Sequence, residues 1–248
     1  MKLETIVAPA LVLAAFFAVW ELFCWVADVS YTLLPPPSAI FVAIIEYREI
    51  LFMHASQTLL EAILGLVWAI CLGGGGAVLL FSMPRARAGI YPLLVLSQTI
   101  PIIALAPLLL IWFGFDLVPK VTIVVLYCFF PIAIATFDAL SSTDENAVDF
   151  LKSMRASRYQ ALLFVYVPSA LPAFFSGLRI AVTYAIAGAI VGEFVGAYKG
   201  LGIFMLTSAN SHAIVLVFAA LFVTVFLTLG LLAIVFLLER MLMPWKRV

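Results

Sequence analysis

Three glutamates, Glu21, Glu61 and Glu193, and two histidines, His54 and His212, stand inside or at the ends of long apolar runs. An ionisable group at mid-membrane depth costs at least ~2.5 kcal/mol, so each is a functional suspect by default. For Glu21 and Glu61 the leading reading is structural, a carboxylate paired with a neighbouring helix or reaching for water. Glu193 stands in AIAGAIVGEFVGAYKGLGIF, among glycines that let backbones approach closely. A gate, or a lock between crossing helices, is an equal reading there. Neither histidine has a second ligand at metal spacing, so both are read as interfacial and no metal site is assigned. Glu61 with His54 is the single acid–base pair in reach, and both stand near the outer end of their span, which argues for neither a protease nor a transferase. The sequence has no G-x-x-x-x-G-K-[ST] phosphate loop, no GxSxG and no HExxH. No catalytic residue is therefore assigned, and this chain is not expected to bind nucleotide by that route.

The elements that position these residues are spanning helices. Of 248 residues 66% are hydrophobic and 10% charged, and the mean hydropathy is +1.24. Soluble domains are about half apolar and a quarter charged, so the chain is expected to be an all-α polytopic membrane protein. A net charge of zero says nothing about nucleic acid, and no basic patch suggests it. Cys24, Cys71 and Cys128 all lie in apolar runs and are expected to be small core residues rather than a disulfide framework. The spacing predicts six spans, at about 6–27, 56–81, 90–113, 121–140, 173–197 and 214–238, within one domain covering 1–248. The first is too long for a signal peptide and lacks a small-residue cleavage site, so it is expected to be retained. Pro35 to Pro37 predict an extended link to a short amphipathic piece through Ile44, Ile45, Tyr47 and Ile50. Pro92, Pro101 and Pro107 in the third span mark kinks.

One long polar segment interrupts the spans, SSTDENAVDFLKSMRASRYQALLFVYVPSALP from Ser141 to Pro172. Ser142 to Glu145 and Ser157 to Gln160 both fit the capping box, in which a serine and a Glu or Gln three residues on satisfy each other's amides. The first opens a short helix with Ala147, Val148, Leu151 and Met154 on one face. The second gathers Ala161, Leu162 and Val165. Arg155-Ala156 is the expected bend between them, and Pro168 and Pro172 the expected close. Two short amphipathic helices joined by a tight turn suit a groove on a partner, and they equally suit a solvated connector. Lysines and arginines near the span ends divide ten against three, with Lys2, the Ser141–Pro172 segment and the C-terminal basic residues on the rich side. By the positive-inside rule both termini and that segment are cytoplasmic.

The polar segment resembles the cytoplasmic loop of permease subunits of binding-protein-dependent ABC importers. That loop reads E-A-A, three residues, G, nine residues, I-x-L-P. Asp149, Phe150 and Leu151 stand at E-A-A, Arg155 at the glycine, and Val165 to Pro168 at I-x-L-P, with only the proline identical. LLPPPSAI, PIIALAPLLLIWFGF, SALPAFFSGLRIA, GEFVGAYKGLGIF and LLERMLMPW extend the likeness over nearly the whole chain, to the nitrate, sulfonate and taurine branch. Within it, SQTIPIIALAPLLLIWFG and FFSGLRIA look most like permeases for the hydroxymethylpyrimidine precursor of thiamine, with riboflavin permeases next.

The resemblance implies a type I importer permease of six spans in a bacterial inner membrane, paired with a second copy of itself and surrounded by lipid. Two cytoplasmic ATPases would carry ATP and Mg, an extracytoplasmic binding protein would deliver the solute, and this chain would bind no cofactor. Asp149, Phe150, Leu151, Arg155, Ala156, Ser157 and Pro168 would form the ATPase-coupling element. Ser97, Gln98, Thr99 and Tyr184, polar for their depth, would line the path or would simply bond their own helices, with Glu193 at a gate. Permeases for nitrate, sulfonate or taurine are the alternative. An ion-coupled carrier is more remote, because no inverted repeat and no paired intramembrane acid and base are visible.

Overall fold

In hydrocarbon every backbone N–H and C=O has to be satisfied within its own segment, and these apolar runs answer with helices. The computed structural model describes residues 4–247, and all regular structure among them is helical. Lys2 of the charge count lies outside the described residues, as do the side chains of Lys246 and Arg247. Five stretches are long and apolar enough to cross a membrane: Val7–Val26, Arg48–Ser82, Leu117–Ser141, Arg158–Gly196 and Ile214–Leu242.

The first of these lies in α1 (Glu4–Val26) and is followed by the short α2 (Pro37–Glu46). Pro37 is not part of an extended link; it takes the first turn of α2, where a missing N–H is harmless. Proline at the N-cap, Pro36, has no side chain to cap with. Glu21 of α1 does so instead: its Oε2 accepts from Ser38 N at 3.0 Å and its Oε1 from Ser38 Oγ at 2.6 Å. The carboxylate thus pairs with a neighbouring helix, at an N-terminus whose dipole favours it.

The second crossing is α3 (Arg48–Ala69), a π-turn at Ile70–Gly74, and α4 (Gly75–Ser82). Gly73 allows Phe129 O to approach to where a Cβ would lie 3.0 Å away. The stretch expected as one third span is two helices, α5 (Pro84–Ser97) and α6 (Ile102–Phe113), bent by 98°. Pro101, the N-cap of α6, disfavours helical geometry at Ile100, so the chain leaves the helix at Gln98 and restarts. Pro92 and Pro107 lie within α5 and α6 without ending them.

α7 (Leu117–Ser141) leads to the polar segment, where α8 (Glu145–Ser153) and α9 (Arg158–Ala161) form. Pro168 and Pro172 do not close this segment. The chain runs on from α9 through a second π-turn, Leu162–Tyr166, into α10 (Val167–Gly196). Proline presses on the carbonyl four residues back, and the wider π-turn makes room for it. The chain ends with α11 (Leu201–Asn210) and α12 (Ile214–Leu242).

The core is the seam between α7 and α10. Ala181, Ala185 and Ala189 of α10 are wholly buried against Val124, Cys128 and Ile132 of α7. Small residues bring the backbones together: a Cβ on Gly177 would lie 2.5 Å from Pro131 O. Cys128 donates its thiol to Ala181 O at 3.2 Å, and Cys24 is likewise buried. Cys71 differs from expectation, since it is exposed on the outer face of its π-turn.

Candidate functional site

The polar segment is built by its caps. α8 starts at Asp144, not Ser142: the Asp144 side chain accepts from Asn146 N at 2.9 Å. Ser142 is occupied as the C-cap of α7, which reaches further than the sequence reading placed it. The second capping box is present, with Ser157 N donating to Gln160 Oε1 at 2.7 Å and Gln160 N to Ser157 Oγ at 3.2 Å. Between them Arg155 has φ 60. Ala156 N donates to Leu151 O at 3.1 Å and Arg155 N to Lys152 O at 2.9 Å. These are the paired bonds of a Schellman end, whose left-handed position glycine usually fills.

The turn divides the faces of α8. Val148 is buried, whereas Phe150 is 66% exposed. Met154, expected to share a face of the helix with Val148, is the C-cap and 65% exposed, because the helix has already ended there. Lys152 bonds Asp149 at 2.8 Å, and that hydrogen bond holds the ammonium above its usual range. Behind the turn a cavity of about 430 Å³ runs between α8 and the end of α4, reached by Ser82, Lys152, Ser157 and Tyr166. Pro168 lies beyond the π-turn, inside the long helix and away from this turn.

Ser97, Gln98 and Thr99 fall at the break between α5 and α6. Ser97 Oγ donates to Leu94 O at 2.8 Å and Thr99 Oγ1 to Leu96 O at 2.7 Å, so both hydroxyls serve their own helix. Gln98 is exposed at the C-cap. Tyr184 lies on α10 and is partly exposed, its ring 6.4 Å from that of Tyr127.

Glu193 is fully enclosed, in a polar cluster that the sequence reading did not assemble. Its Oε1 accepts from Thr58 Oγ1 at 2.7 Å and its Oε2 from Gly202 N at 2.5 Å. Thr58 accepts in turn from Leu201 N at 2.8 Å, and His54 Nδ1 lies 3.1 Å from Gly200 N and 2.9 Å from Gly200 O. The first amides of α11 are therefore held by side chains from α3 and α10. Glu61 is equally buried, takes Gln57 Nε2 at 2.8 Å and pairs with Lys120 Nζ at 3.5 Å. Its expected acid–base partner His54 instead faces Gly200. The spacing of Gln57, Thr58 and Glu61 on one helical face was the available signal; Lys120, just before the fourth expected span, carried none. Among the described residues no group of three or more metal-ligating side chains is present.

The chain matches, over residues 61–248, the family described as binding-protein-dependent transport system inner membrane component. It is 40% identical to the formylaminopyrimidine transport permease protein ThiX of Halalkalibacterium halodurans, covering 96% of each chain. It is 39% identical to the riboflavin transport system permease protein RibX of Chloroflexus aurantiacus, over 62% of this chain and 58% of that one. Among solved structures it is similar to a chain of the inward-facing MetNI methionine ABC transporter, with a TM-score of 0.56, 20% identity, and coverage of 77% of this chain and 98% of that one. The last likeness concerns the fold alone, that of a type I importer permease. The chain belongs to this family, and is a non-catalytic, multi-pass inner-membrane permease subunit of an ABC importer that works with an ATPase and a binding protein.

Proposed function

We propose that two copies of this chain form the pathway, that residues 144–158 dock on the cytoplasmic ATPases, and that the cargo is a pyrimidine precursor of thiamine. The turn at Arg155 carries the reading. Where the family pattern has glycine the backbone stands at φ 60, the conformation that glycine supplies. That geometry supports reading the loop as the family's turn, although only Pro168 is identical. With that turn in place, Phe150, Met154 and the charged rim of Asp149 and Arg155 face away from the bundle, a surface suited to a partner's groove. ATP and Mg act on the ATPases, and this chain binds neither. The excess of basic residues around the loop supports a cytoplasmic placement of it and of both termini.

The cargo rests on the likeness to ThiX along 96% of both chains. Riboflavin is the second reading, supported by the shorter match to RibX. Gln98 at the helix break offers its amide to the path, and Tyr184 a partly exposed ring. Ser97 and Thr99 contribute by holding the break open. Glu193 acts through α11 rather than by lining the path.

Phe150→Asp places a charge on the docking face. Losing an interface anchor costs about 2 kcal/mol or more, some thirtyfold in affinity. The variant permease is expected to stay in the membrane while the ATPase no longer co-purifies with it. Arg155→Gly relaxes the backbone but removes the guanidinium, giving a milder, salt-sensitive weakening that is largest at low salt, where the lost charge contact is least screened. ATPase recovery with Phe150→Asp at the wild-type level would show that this loop is not the docking element.

A further inference from the structure

A cavity of about 220 Å³ opens between α4, α5 and α7. Leu80, Ile134 and Phe137 belong to its wall; of the lining residues only Tyr91 carries a hydroxyl, and none carries a charge. So apolar a space offers little to a polar solute. Gly76 lines it as well, and a Cβ at Gly76 would meet no atom within 4 Å. Phe129, also in the wall, stands twelve residues before Ser141, where the α7 crossing ends. At 1.5 Å per residue the space therefore reaches roughly 18 Å along the helix from that end. One leaflet of a ~30 Å hydrocarbon core is about that deep. Tyr91 and Phe137, stacked with ring centres 4.7 Å apart, also line a second cavity of about 340 Å³. Ser141 and Ser142 line it too, so it forms a mouth at the end of the bundle that carries the polar segment. The mouth holds one group of each sign, Arg87 and Asp138. The Arg87 guanidinium lies 5.1 Å from the centre of the Phe137 ring and makes no ion pair within 4 Å among the described residues. Asp138 takes the Tyr91 hydroxyl on Oδ1 at 2.7 Å, which leaves its second oxygen to accept from elsewhere.

We propose that the two cavities together bind one zwitterionic phospholipid, an acyl chain in the apolar space and an aminoethyl phosphate head at the mouth. The phosphate meets Arg87, whose fork of N–H donors matches its oxygens, and the ammonium meets Asp138. A head that carries phosphate without the amine sets its negative charge against Asp138, so the mouth discriminates against purely anionic lipids. A chain in the space supplies the wall atoms with the contacts that a void denies them. Lipid tails are as apolar as this wall, so preference among lipids comes from the head. The bound lipid fills the gap beside Gly76 and fastens the start of the broken span, α5, to α4 and α7. This site is separate from the ATPase-docking surface and stands whether or not the cargo is a pyrimidine.

Native mass spectrometry of the permease, purified with its ATPase in mild detergent, tests the site by titration with phosphatidylethanolamine or with phosphatidylglycerol of the same acyl chains. The wild type is expected to hold one phosphatidylethanolamine per permease chain, with phosphatidylglycerol about tenfold weaker. Arg87→Gln and Asp138→Asn each remove one charged hydrogen bond to the head, so each should weaken phosphatidylethanolamine by about tenfold. Asp138→Asn should also narrow the gap to phosphatidylglycerol, because the repelling carboxylate is gone. Gly76→Phe puts a ring into the space at a position open to a Cβ, and the tightly held lipid should be lost. Gly230→Phe, on α12 and equally open, is the control and should keep it. The two head variants decide the matter even where Gly76→Phe does not assemble. Equal retention of the two lipids by the wild type overturns the proposal, as does phosphatidylethanolamine binding that neither head variant weakens. A Gly76→Phe permease whose two copies separate while its lipid content stays constant would assign the space to the contact between copies, and overturns it too.

Discussion

Gly200 is held at φ 133 and ψ 159, a region open in practice only to glycine. A Cβ there would also collide with the Glu193 carboxyl. Both effects have one origin, the close passage of the loop over Glu193 that lets its oxygen take the Gly202 amide. Gly200→Ala therefore incurs strain of about 1–3 kcal/mol before the collision is counted. The purified variant should melt several degrees below wild type, with α11 detached first. Gly230, with no atom within 4 Å of a Cβ, is the control: Gly230→Ala should be neutral or gain about 0.5–1 kcal/mol. Equal melting of the two variants would show that the loop does not depend on Gly200. Arg155 is the contrasting case, since it holds φ 60 without glycine. Its left-handed geometry costs roughly 1–2 kcal/mol, offset by the two backbone bonds that close the end of α8.

Among the elements, α10 is the one on which the others are assembled, packed along α7 and touching α3, α11 and α12. Its small residues permit this, because lipid gives no hydrophobic drive for helices to associate and close packing has to supply it. Gly177→Val inserts carbon 2.5 Å from Pro131 O and 2.9 Å from Ala135 Cβ. Overpacking of this kind costs about 1–3 kcal/mol, and the neighbour here is backbone that cannot rotate away. Denaturation in mixed micelles should show that loss, and an unchanged midpoint would mean that α7 and α10 part easily. On α12, Glu239 is bonded to Arg179 of α10, whose guanidinium also lies 5.4 Å from the centre of the Phe236 ring. This pair ties the far end of the seam, opposite Glu61 and Glu193.

For the whole molecule, the arrangement of charge implies a sidedness that labelling can test. In a background lacking the exposed Cys71, a cysteine at Ser142 or Ser157 should react with impermeant reagent only from the cytoplasmic side. One at Tyr47 or Lys199 should react from outside, and labelling of Ser157 from outside would reverse the orientation. The sequence by itself determined that the chain crosses a membrane, roughly where, and which family loop joins α7 to α10. Each of these depends on local hydropathy or on spacing along the chain. It also located the turn at Arg155, because a Schellman end is closed by bonds within six residues. The break at Gln98 and the passage of α10 through Pro168 were decided by structure, since proline permits a kink, a stop or a π-turn and neighbouring helices select among them. The pairing of Glu61 with Lys120 and of Glu193 with Thr58 was likewise invisible: the partners lie far apart in sequence, and only the packing of α3, α7 and α10 brings them together.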